Sequence, residues 1–248
     1  MKLFRLIRSG AQSASRNMAL DEEIFKGYLE DGVGVLRLYR WQKPSFTYGF
    51  SQHPENYLDL AACQAHGVEV VKRMTGGGIL FHDDEITYSF TCSKSDLGEP
   101  QSVFVDYRNI CRFLMRFYES LGLRPGFALE QDNFKNRCAP HELCSAAYEK
   151  YDIVVGGRKI GGNAQKRNRQ VVFQHGSIPC RINWDCAAKY LKFLPDYLTS
   201  SVTALSDELS SVPEKDILEK KLIDAFSSVF DVGFIRKGQT IYETSMVE

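Results

Sequence analysis

Apolar residues recur at helical spacing in three long segments of the chain. In residues 13–32 they fall near one face of a helix, at Met18, Leu20, Ile24, Phe25 and Leu29. This spacing predicts a helix that Gly32 is suited to end. Residues 103–122 and 214–230 show the same periodicity. Shorter helices are expected at 56–67 and 183–194, and 201–209 is expected to be a loop or a short helix.

Segments of alternating or β-branched residues separate these helices and predict strands. They cover residues 35–41, 45–50, 68–74 and 78–92, and the last of these begins at the end of a run of three glycines. Residues 150–179 have the pattern of several strands joined by glycine turns. Within them, "VVGGRKI" is a hairpin signal.

Helices and strands follow one another without a regular βαβ rhythm, which favours an α/β (α+β) fold around a largely antiparallel sheet. At 248 residues the chain has room for a sizeable core and shows no internal repeat or long linker. We therefore expect one catalytic domain over residues 1–248, with 200–248 as its C-terminal helical part. The glycine run matches neither GxxxxGK[ST] nor GxGxxG, so the pattern supports neither a P-loop nor a dinucleotide site.

Charge and hydropathy narrow the function classes. The formal net charge is zero, so the composition gives no basic excess for binding nucleic acid. No segment approaches the roughly 20 apolar residues of a membrane span, and the first residues lack the apolar run of a signal peptide. We expect a cytoplasmic protein with no nucleic-acid or membrane partner.

Cysteine usage indicates free thiols rather than cross-links. The seven cysteines have irregular spacing and form no CxxC; they are Cys63, Cys92, Cys111, Cys138, Cys144, Cys180 and Cys186. This argues against a disulfide framework and a structural zinc site. We expect no metal site and mostly buried thiols, with one cysteine as a candidate nucleophile.

The glycine run in "KRMTGGGILFHD", residues 72–83, is the first candidate for chemistry. Gly76, Gly77 and Gly78 leave room for a ligand against the backbone, and their N–H groups suit a carboxylate, phosphate or thioester oxygen. Arg73 adds charge, and Ile79, Leu80 and Phe81 are expected to line an apolar tunnel. The alternative is a bulged hairpin with ordinary core residues.

A lysine between two glycine pairs is the second candidate. Lys159 in "GGRKIGG" is placed to stabilise an oxyanion or a phosphate, or is simply exposed on a surface hairpin. Downstream, "FQHGSIP" places His175 and Ser177 on a strand expected to return beside this lysine hairpin. His175 is either a titrating group of the site or a hydrogen-bonded structural histidine.

A third candidate is the cysteine-containing segment just before the lysine hairpin. "CAPHELCSAAYEKYD" contains Cys138 and Cys144. A reactive thiolate needs a nearby cation to lower its pKa, and Lys159 is a candidate for that cation. Composition alone favours the alternative, in which both cysteines are ordinary buried residues.

Taken together, the chain resembles the lipoate–protein ligase and octanoyltransferase superfamily. The resemblance rests on "NMALDEEIF", "LRLYRWQKPSFTYGFSQ", "VVKRMTGGGILFHDDEITYSF" and "GRKIGGNAQKR…FQHGSIP", in that order, over about residues 4–200. It implies a domain like those of biotin synthetases and class II aminoacyl-tRNA synthetases, with an acyl chain in a tunnel between the glycine loop and the lysine hairpin. The acyl-binding residues that it implies are Arg73, Gly76, Gly77, Gly78, Ile79, Leu80, Phe81, His82, Gly161, Gly162, Ala164 and His175.

Within that superfamily, the cysteine-type octanoyltransferases form an acyl-thioester on the enzyme. Their pattern places the cysteine fifteen positions before the hairpin lysine, which selects Cys144 and Lys159 as the catalytic pair. The resemblance then implies octanoyl transfer from acyl carrier protein to a lysine of an E2 lipoyl domain or of glycine-cleavage H protein, with no cofactor. "HDDEITYSF" and "HGSI" also look more like the transferases.

Two positions depart from the transferase pattern. Gly78 stands where transferases usually carry arginine, and Asp152 stands eight positions after Cys144, where glutamate is usual. An ATP- and Mg-dependent lipoate–protein ligase with a separate accessory chain therefore stays open. So do a lipoyl amidotransferase between lipoyl-domain proteins and an acyl-binding relative without activity.

Overall fold

The fold is a mixed α/β arrangement of three sheets and flanking helices. The computed structural model describes residues 2–97, 103–131 and 151–235. Its strands are β1 (Lys2–Gln12), β2 (Val35–Trp41), β3 (Ser45–Tyr48), β4 (Glu69–Lys72), β5 (Ile79–His82), β6 (Glu85–Ser93), β7 (Pro125–Phe127), β8 (Ile153–Val155), β9 (Arg158–Ile160), β10 (Gly162–Arg167), β11 (Val171–Pro179), β12 (Val202–Thr203) and β13 (Val232–Ile235). Its helices are α1 (Ala14–Asp31), α2 (Leu60–Ala65), α3 (Val103–Ser120), α4 (Trp184–Ala188), α5 (Asp196–Ser201), α6 (Leu205–Glu208) and α7 (Lys215–Phe230).

The main sheet has six strands in the order β10-β11-β6-β2-β1-β13. The pairs from β10 to β2 are antiparallel, whereas β1 lies parallel to both β2 and β13. The predicted α/β class with a largely antiparallel sheet is therefore confirmed. Strand β1 has no counterpart in the sequence analysis, and it pairs with β13 from the far end of the described chain.

Helices α3 and α7 pack on each other and cover the main sheet. The core between them is aromatic, since the ring of Phe226 contacts Phe4, Phe90 and Phe113 at centroid distances of 5.2–5.8 Å. Apolar burial of this kind is the main stabilising term of such a domain. Both helices lie where the periodicity predicts them. That residues 1–248 form a single catalytic domain stays a prediction.

Helix α1 ends as predicted. The Ser13 hydroxyl caps its first turn, and Gly32 adopts a left-handed φ of 66° while its N–H bonds the Tyr28 carbonyl.

The predicted apolar face of α1 is confirmed in part. Met18 and Phe25 are buried, whereas Leu29 is 57% exposed. The buried face also includes Asn17 and Asp21, because both bond the buried Arg37 of β2.

Two further predictions concern the lysine hairpin and residues 78–92. Strands β8 and β9 form the expected hairpin, with Gly156 and Gly157 at positive φ. Residues 78–92 form two strands in different sheets, β5 and β6, rather than one. The chain turns at Asp84, whose carbonyl accepts the N–H groups of Cys180 and Arg181. The helix expected over 183–194 ends at Ala188.

Among the helices in the described part, no helix is long and apolar enough to cross a membrane.

Candidate functional site

A cleft that we call the mouth opens between the lysine hairpin and strand β5. It has about 600 Å³ of space including its open side. Its walls include Leu80, Lys159, Gly161, Ser177, Arg181 and Trp184. The mouth therefore combines one buried lysine with walls that are mostly apolar but also carry Ser177 and Arg181.

A smaller inner cavity continues inward from the mouth. The two spaces share Leu80, Gly162 and Ser177 as lining residues. Beyond them the inner cavity is lined mostly by ring and aliphatic groups, among them Met18, Tyr39, Trp41, His82, Ala164 and His175. Together the mouth and the inner cavity form a passage suited to an aliphatic chain whose polar head stays near Lys159.

Lys159 is held at the mouth by a carboxylate. Its Nζ lies 2.8 Å from Oδ2 of Asp152, and the two side chains are only 4% and 6% exposed. Strand β9 carries the lysine, and Asp152 directly precedes β8 of the same hairpin. Opposite charges so deeply buried must be paired to be tolerated, so the hairpin fixes an ammonium group beside the passage.

The glycine loop is organised from inside by Arg73. Its Nη2 donates to the carbonyl oxygens of Gly76 and Gly78 at 2.8 and 2.6 Å, and its Nη1 donates to Thr47 Oγ1 at 3.3 Å. Arg73 is 1% exposed and also lines the inner cavity. The guanidinium that the sequence suggested as an acyl contact thus also holds the shape of the loop.

Gly49 marks the closest approach of the loop to the rest of the backbone. A Cβ atom added at Gly49 would stand 2.1 Å from the Gly77 carbonyl oxygen. We expect Gly49→Ala to lower the free energy of unfolding by about 2–4 kcal/mol, because a backbone atom has to move. Gly27→Ala in α1 is the matched control, since its Cβ meets nothing within 4 Å and helical alanine should stabilise by about 0.5–1 kcal/mol. Urea unfolding of both variants measures the difference, and equal stabilities would contradict it.

His175 joins the far end of the inner cavity to a buried charge network. Its Nε2 lies 2.7 Å from Thr75 Oγ1, and its Nδ1 lies 3.5 Å from Asp21 Oδ2. Asp21 also accepts from Arg37 Nη1 and Ser89 Oγ, both at 2.7 Å. As the sequence predicted, β11 returns beside β10, with His175 opposite Ala164.

The pKa of His175 should make stability depend on pH. Burial lowers this pKa, as do Arg73 and His82, although Asp21 opposes them. A histidine that binds protons less readily when folded contributes stability above its unfolded pKa of about 6.5, and this contribution is lost as the pH falls. We expect urea-unfolding free energies to fall below about pH 6.5, and His175→Gln to flatten this slope. His53→Gln, at a 74% exposed side chain, should keep the slope, and an unchanged slope in His175→Gln would contradict the assignment.

Glu85 is a site residue that the sequence analysis did not select. Its Oε1 accepts from Trp41 Nε1 at 2.9 Å and from His82 Nδ1 at 3.0 Å, and its Oε2 accepts from Ser177 Oγ at 2.8 Å. The Thr87 hydroxyl donates to Oε1 as well. Burial raises the pKa of this carboxyl, but His82, Thr87 and Ser177 outweigh it and hold the pKa below its usual range. Little in the sequence marks Glu85, because acidic runs such as "HDDE" are usually solvated.

The structure brings most of the predicted acyl-binding residues to the passage or its loop. Gly161 and Phe81 line the mouth, Gly162 lines both spaces, and His82 and Ala164 line the inner cavity. Gly76 lies on the outer side of the loop beside Thr75, and Gly77 has a φ of 87°. Ile79 instead packs among Phe46, Leu58, Cys63 and Tyr190, because alternate residues of a strand face opposite sides.

The five cysteines in the described part do not resemble an activated nucleophile. Cys63, Cys92, Cys111 and Cys180 are buried and Cys186 is partly buried. Burial raises the pKa of each thiol, to about 12 for Cys111 and Cys180. Cys138 and Cys144 lie outside the described residues. Within residues 2–97, 103–131 and 151–235, no group of three His, Cys, Asp or Glu side chains could hold a metal ion.

The fold is that of the lipoate–protein ligases. The chain superposes on a lipoate-protein ligase A solved with bound ATP with a TM-score of 0.77 and 23% identity, covering 99% of this chain and 92% of that one. It superposes on a chain from the structure of a bi-partite lipoate protein ligase and its E2 lipoyl domain from Thermoplasma acidophilum with a TM-score of 0.74 and 21% identity, covering 99% and 90%. At these identities the likeness concerns the fold alone.

The chain belongs to the family of the lipoyl protein ligase A/B catalytic domain, whose model matches residues 13–227. Among its relatives is the octanoyltransferase LipM of Oceanobacillus iheyensis, 32% identical over 224 residues, which are 90% of this chain and 81% of the relative. Another is the octanoyltransferase LipM of Kyrpidia tusciae, 36% identical over 199 residues, which are 79% and 73% of the two chains. The family predicted from the motifs is thereby confirmed.

Proposed function

We propose that the protein is an octanoyltransferase of protein lipoylation that carries its acyl group on Cys144. The observation that carries the proposal is the buried Lys159 ammonium at the entrance of an apolar passage, fifteen residues after Cys144. The family relatives named octanoyltransferases support the same chemistry. An acyl-enzyme needs a nucleophile, an oxyanion partner and a place for the chain, and this arrangement supplies the last two.

The length of chain between Cys144 and the site is compatible with Cys144 as the nucleophile. Tyr151 packs on Phe127 at a ring distance of 5.9 Å, and the next residue, Asp152, holds Lys159. Cys144 lies seven residues before Tyr151, a separation that an extended chain spans with at most about 25 Å. The raised pKa of each described cysteine leaves Cys138 and Cys144 as candidates, and the family spacing selects Cys144.

The proposed reaction has two acyl transfers. The Cys144 thiolate attacks the thioester carbonyl of an octanoyl donor, and a tetrahedral oxyanion forms beside Lys159. Collapse of this intermediate breaks the bond to the donor sulfur, which leaves as a thiol after taking a proton. The amine of an acceptor lysine then attacks the enzyme thioester, loses a proton and releases the Cys144 thiolate. No ATP enters, since exchange between thioesters is nearly isoenergetic and amide formation from a thioester is downhill.

The apolar passage accounts for the acyl specificity in this proposal. An octanoyl group has seven carbons beyond its carbonyl, and each buried CH₂ contributes about 0.8 kcal/mol. With the carbonyl near Lys159, the chain runs past Leu80 and Gly162 into the inner cavity. Several kcal/mol of binding therefore depend on filling that space. Octanoyl donors should react much better than butyryl donors.

The proposed acceptor is a lysine of a lipoyl domain, as expected of a lipoylation enzyme, and the proposed donor is octanoyl acyl carrier protein. The proposal extends the acceptors to glycine-cleavage H protein. The ATP-dependent ligase is the competing function, and Lys159 would then hold an acyl-adenylate.

An assay with apo lipoyl domain tests the proposal. One reaction receives octanoyl acyl carrier protein, and the other receives octanoate or lipoate with ATP and Mg²⁺. We expect mass spectrometry to detect octanoyl-lysine only in the first. Modification only in the second would overturn the transferase and establish the ligase.

A further inference from the structure

The Glu85 carboxylate collects hydrogen bonds from four strands at the junction of the mouth and the inner cavity. Its donors come from β2 (Trp41), β5 (His82), β6 (Thr87) and β11 (Ser177). Glu85 is 3% exposed. It lines the mouth, and all four donors line the inner cavity. One buried carboxylate therefore connects the walls of both spaces.

The bonding at Glu85 points to a structural role for this carboxylate. Its Oε1 accepts from Trp41, His82 and Thr87, and its Oε2 accepts from Ser177. A carboxylate offers about four acceptor positions, so these donors use most of its capacity. The arrangement is suited to orienting the four donors.

One branch of these bonds reaches the glycine loop. Because a carboxylate accepts, His82 Nδ1 donates to Glu85, and the other ring nitrogen, Nε2, is hydrogen-bonded to Thr47 Oγ1 at 2.8 Å. Thr47 Oγ1 in turn accepts from Arg73 Nη1, and Arg73 holds the Gly76 and Gly78 carbonyls. The His82 ring is stacked on Trp41 at a centroid distance of 3.9 Å. This branch fixes one wall of the passage.

The other branch reaches the lysine hairpin. Ser177 donates to Glu85 and lines both the mouth and the inner cavity. Its backbone lies opposite Gly162 in the β10–β11 pair. A Cβ atom at Gly161 would meet the Ser177 carbonyl oxygen at 2.1 Å. The position of Ser177 is therefore coupled to the chain that follows Lys159.

We infer that Glu85 is a positioning residue that sets the width of the acyl passage between the glycine loop and the lysine hairpin. It acts through Trp41, His82 and Ser177 and contacts no reacting atom. The inference rests on the proposed octanoyl transfer, since it assigns the specificity of that reaction. Losing Glu85 should weaken the fit of an eight-carbon chain more than it slows the chemistry.

Steady-state kinetics with octanoyl and butyryl carrier protein test this inference. For Glu85→Ala we expect the KM of the octanoyl donor to rise about tenfold, or about 1.4 kcal/mol, with kcat kept within about threefold. The preference for octanoyl over butyryl should fall by the same factor. Glu85→Gln should stay within about threefold of wild type, because its carbonyl replaces Oε1 and its amide can donate to a rotated Ser177 hydroxyl.

Glu219→Ala is the matched control. Glu219 is 4% exposed and accepts from Arg8 and Arg40, and none of these three residues lines the mouth or the inner cavity. It should lower the melting temperature while leaving the octanoyl preference unchanged. If Glu85→Ala does not fold, Ser177→Ala, which removes one of the four bonds, should still reduce the preference by about threefold.

Three outcomes would overturn the inference. The first is a folded Glu85→Ala that keeps the octanoyl preference. The second is a loss of kcat in Glu85→Ala that is equal for the octanoyl and butyryl donors and that Glu85→Gln shows as well. That result would indicate that the charge of Glu85 acts on the chemical step. The third is an unchanged preference in Ser177→Ala. Absence of octanoyl transfer in the wild-type protein would instead refute the proposed function, so the two failures are distinguishable.

Discussion

Replacing Cys144 with alanine should reduce octanoyl transfer by about 1,000-fold or more. The variant has no sulfur to accept the acyl group, and an amine must then attack the donor thioester without a covalent intermediate. Without acceptor, wild-type protein incubated with octanoyl carrier protein should gain one octanoyl group in its intact mass, and Cys144→Ala should gain none. Octanoyl-lysine formation on the apo lipoyl domain measures the loss of rate.

Two cysteine variants control for effects of mutation alone. Cys138→Ala lies in the same segment, six residues before Cys144, and should keep the acyl adduct and the activity. Cys180→Ala removes a buried thiol that has a structural role and no part in the proposed reaction. Burial raises the pKa of this thiol to about 12. The substitution should affect stability more than rate. An octanoyl adduct of full stoichiometry on Cys144→Ala would rule out this sulfur as the attachment point.

Elements whose partners lie nearby in the sequence were predictable. Helix α1 ends at Gly32 because a left-handed residue follows its last turn, and glycine adopts that conformation without strain. The β8–β9 hairpin follows from two adjacent glycines with positive φ. In each case the signal depends on a few neighbouring residues. For these two elements, the local sequence therefore determines the conformation.

Elements that depend on distant partners were not predictable. Strand β1 carries arginines on a sheet whose neighbours are β2 and β13, and its register shifts between Arg8 and Ala11. Asp21 stands on a helix face where acidic residues are normally solvated. It is buried because Arg37, Tyr39, Ser89 and His175 surround it. All four partners lie on strands β2, β6 and β11, which pairing in the main sheet brings together.

The candidate site follows the same division. The glycine loop and Lys159 were identifiable because adjacent glycines mark both of them in the sequence. Glu85 and Trp41 were not, since their roles depend on contacts between residues far apart in the sequence, such as the hydrogen bond between them. The site thus consists of short motifs that can be recognised in the sequence. Buried polar contacts between residues far apart in the chain hold these motifs in place.

Lys159→Met should reduce transfer by about 100- to 1,000-fold, the usual loss when an oxyanion donor is removed. Its buried partner complicates the interpretation. Without the ammonium, the Asp152 carboxylate loses its ion pair with Lys159 at 6% exposure, and breaking a buried pair in this way costs about 3–5 kcal/mol of stability. A loss of activity could then reflect partial unfolding, so thermal unfolding has to be measured on the same samples.

The double variant Lys159→Met/Asp152→Asn separates the two effects. Removing both charges should restore most of the melting temperature, because no uncompensated charge stays buried. Transfer should remain as slow as in the single variant, since the ammonium that we propose to stabilise the thiolate and the oxyanion is still missing. Lys189→Met, at an exposed lysine, should be normal in both respects. Recovery of activity together with stability in the double variant would show that the pair only supports the fold, and the chemical role of Lys159 would have to be abandoned.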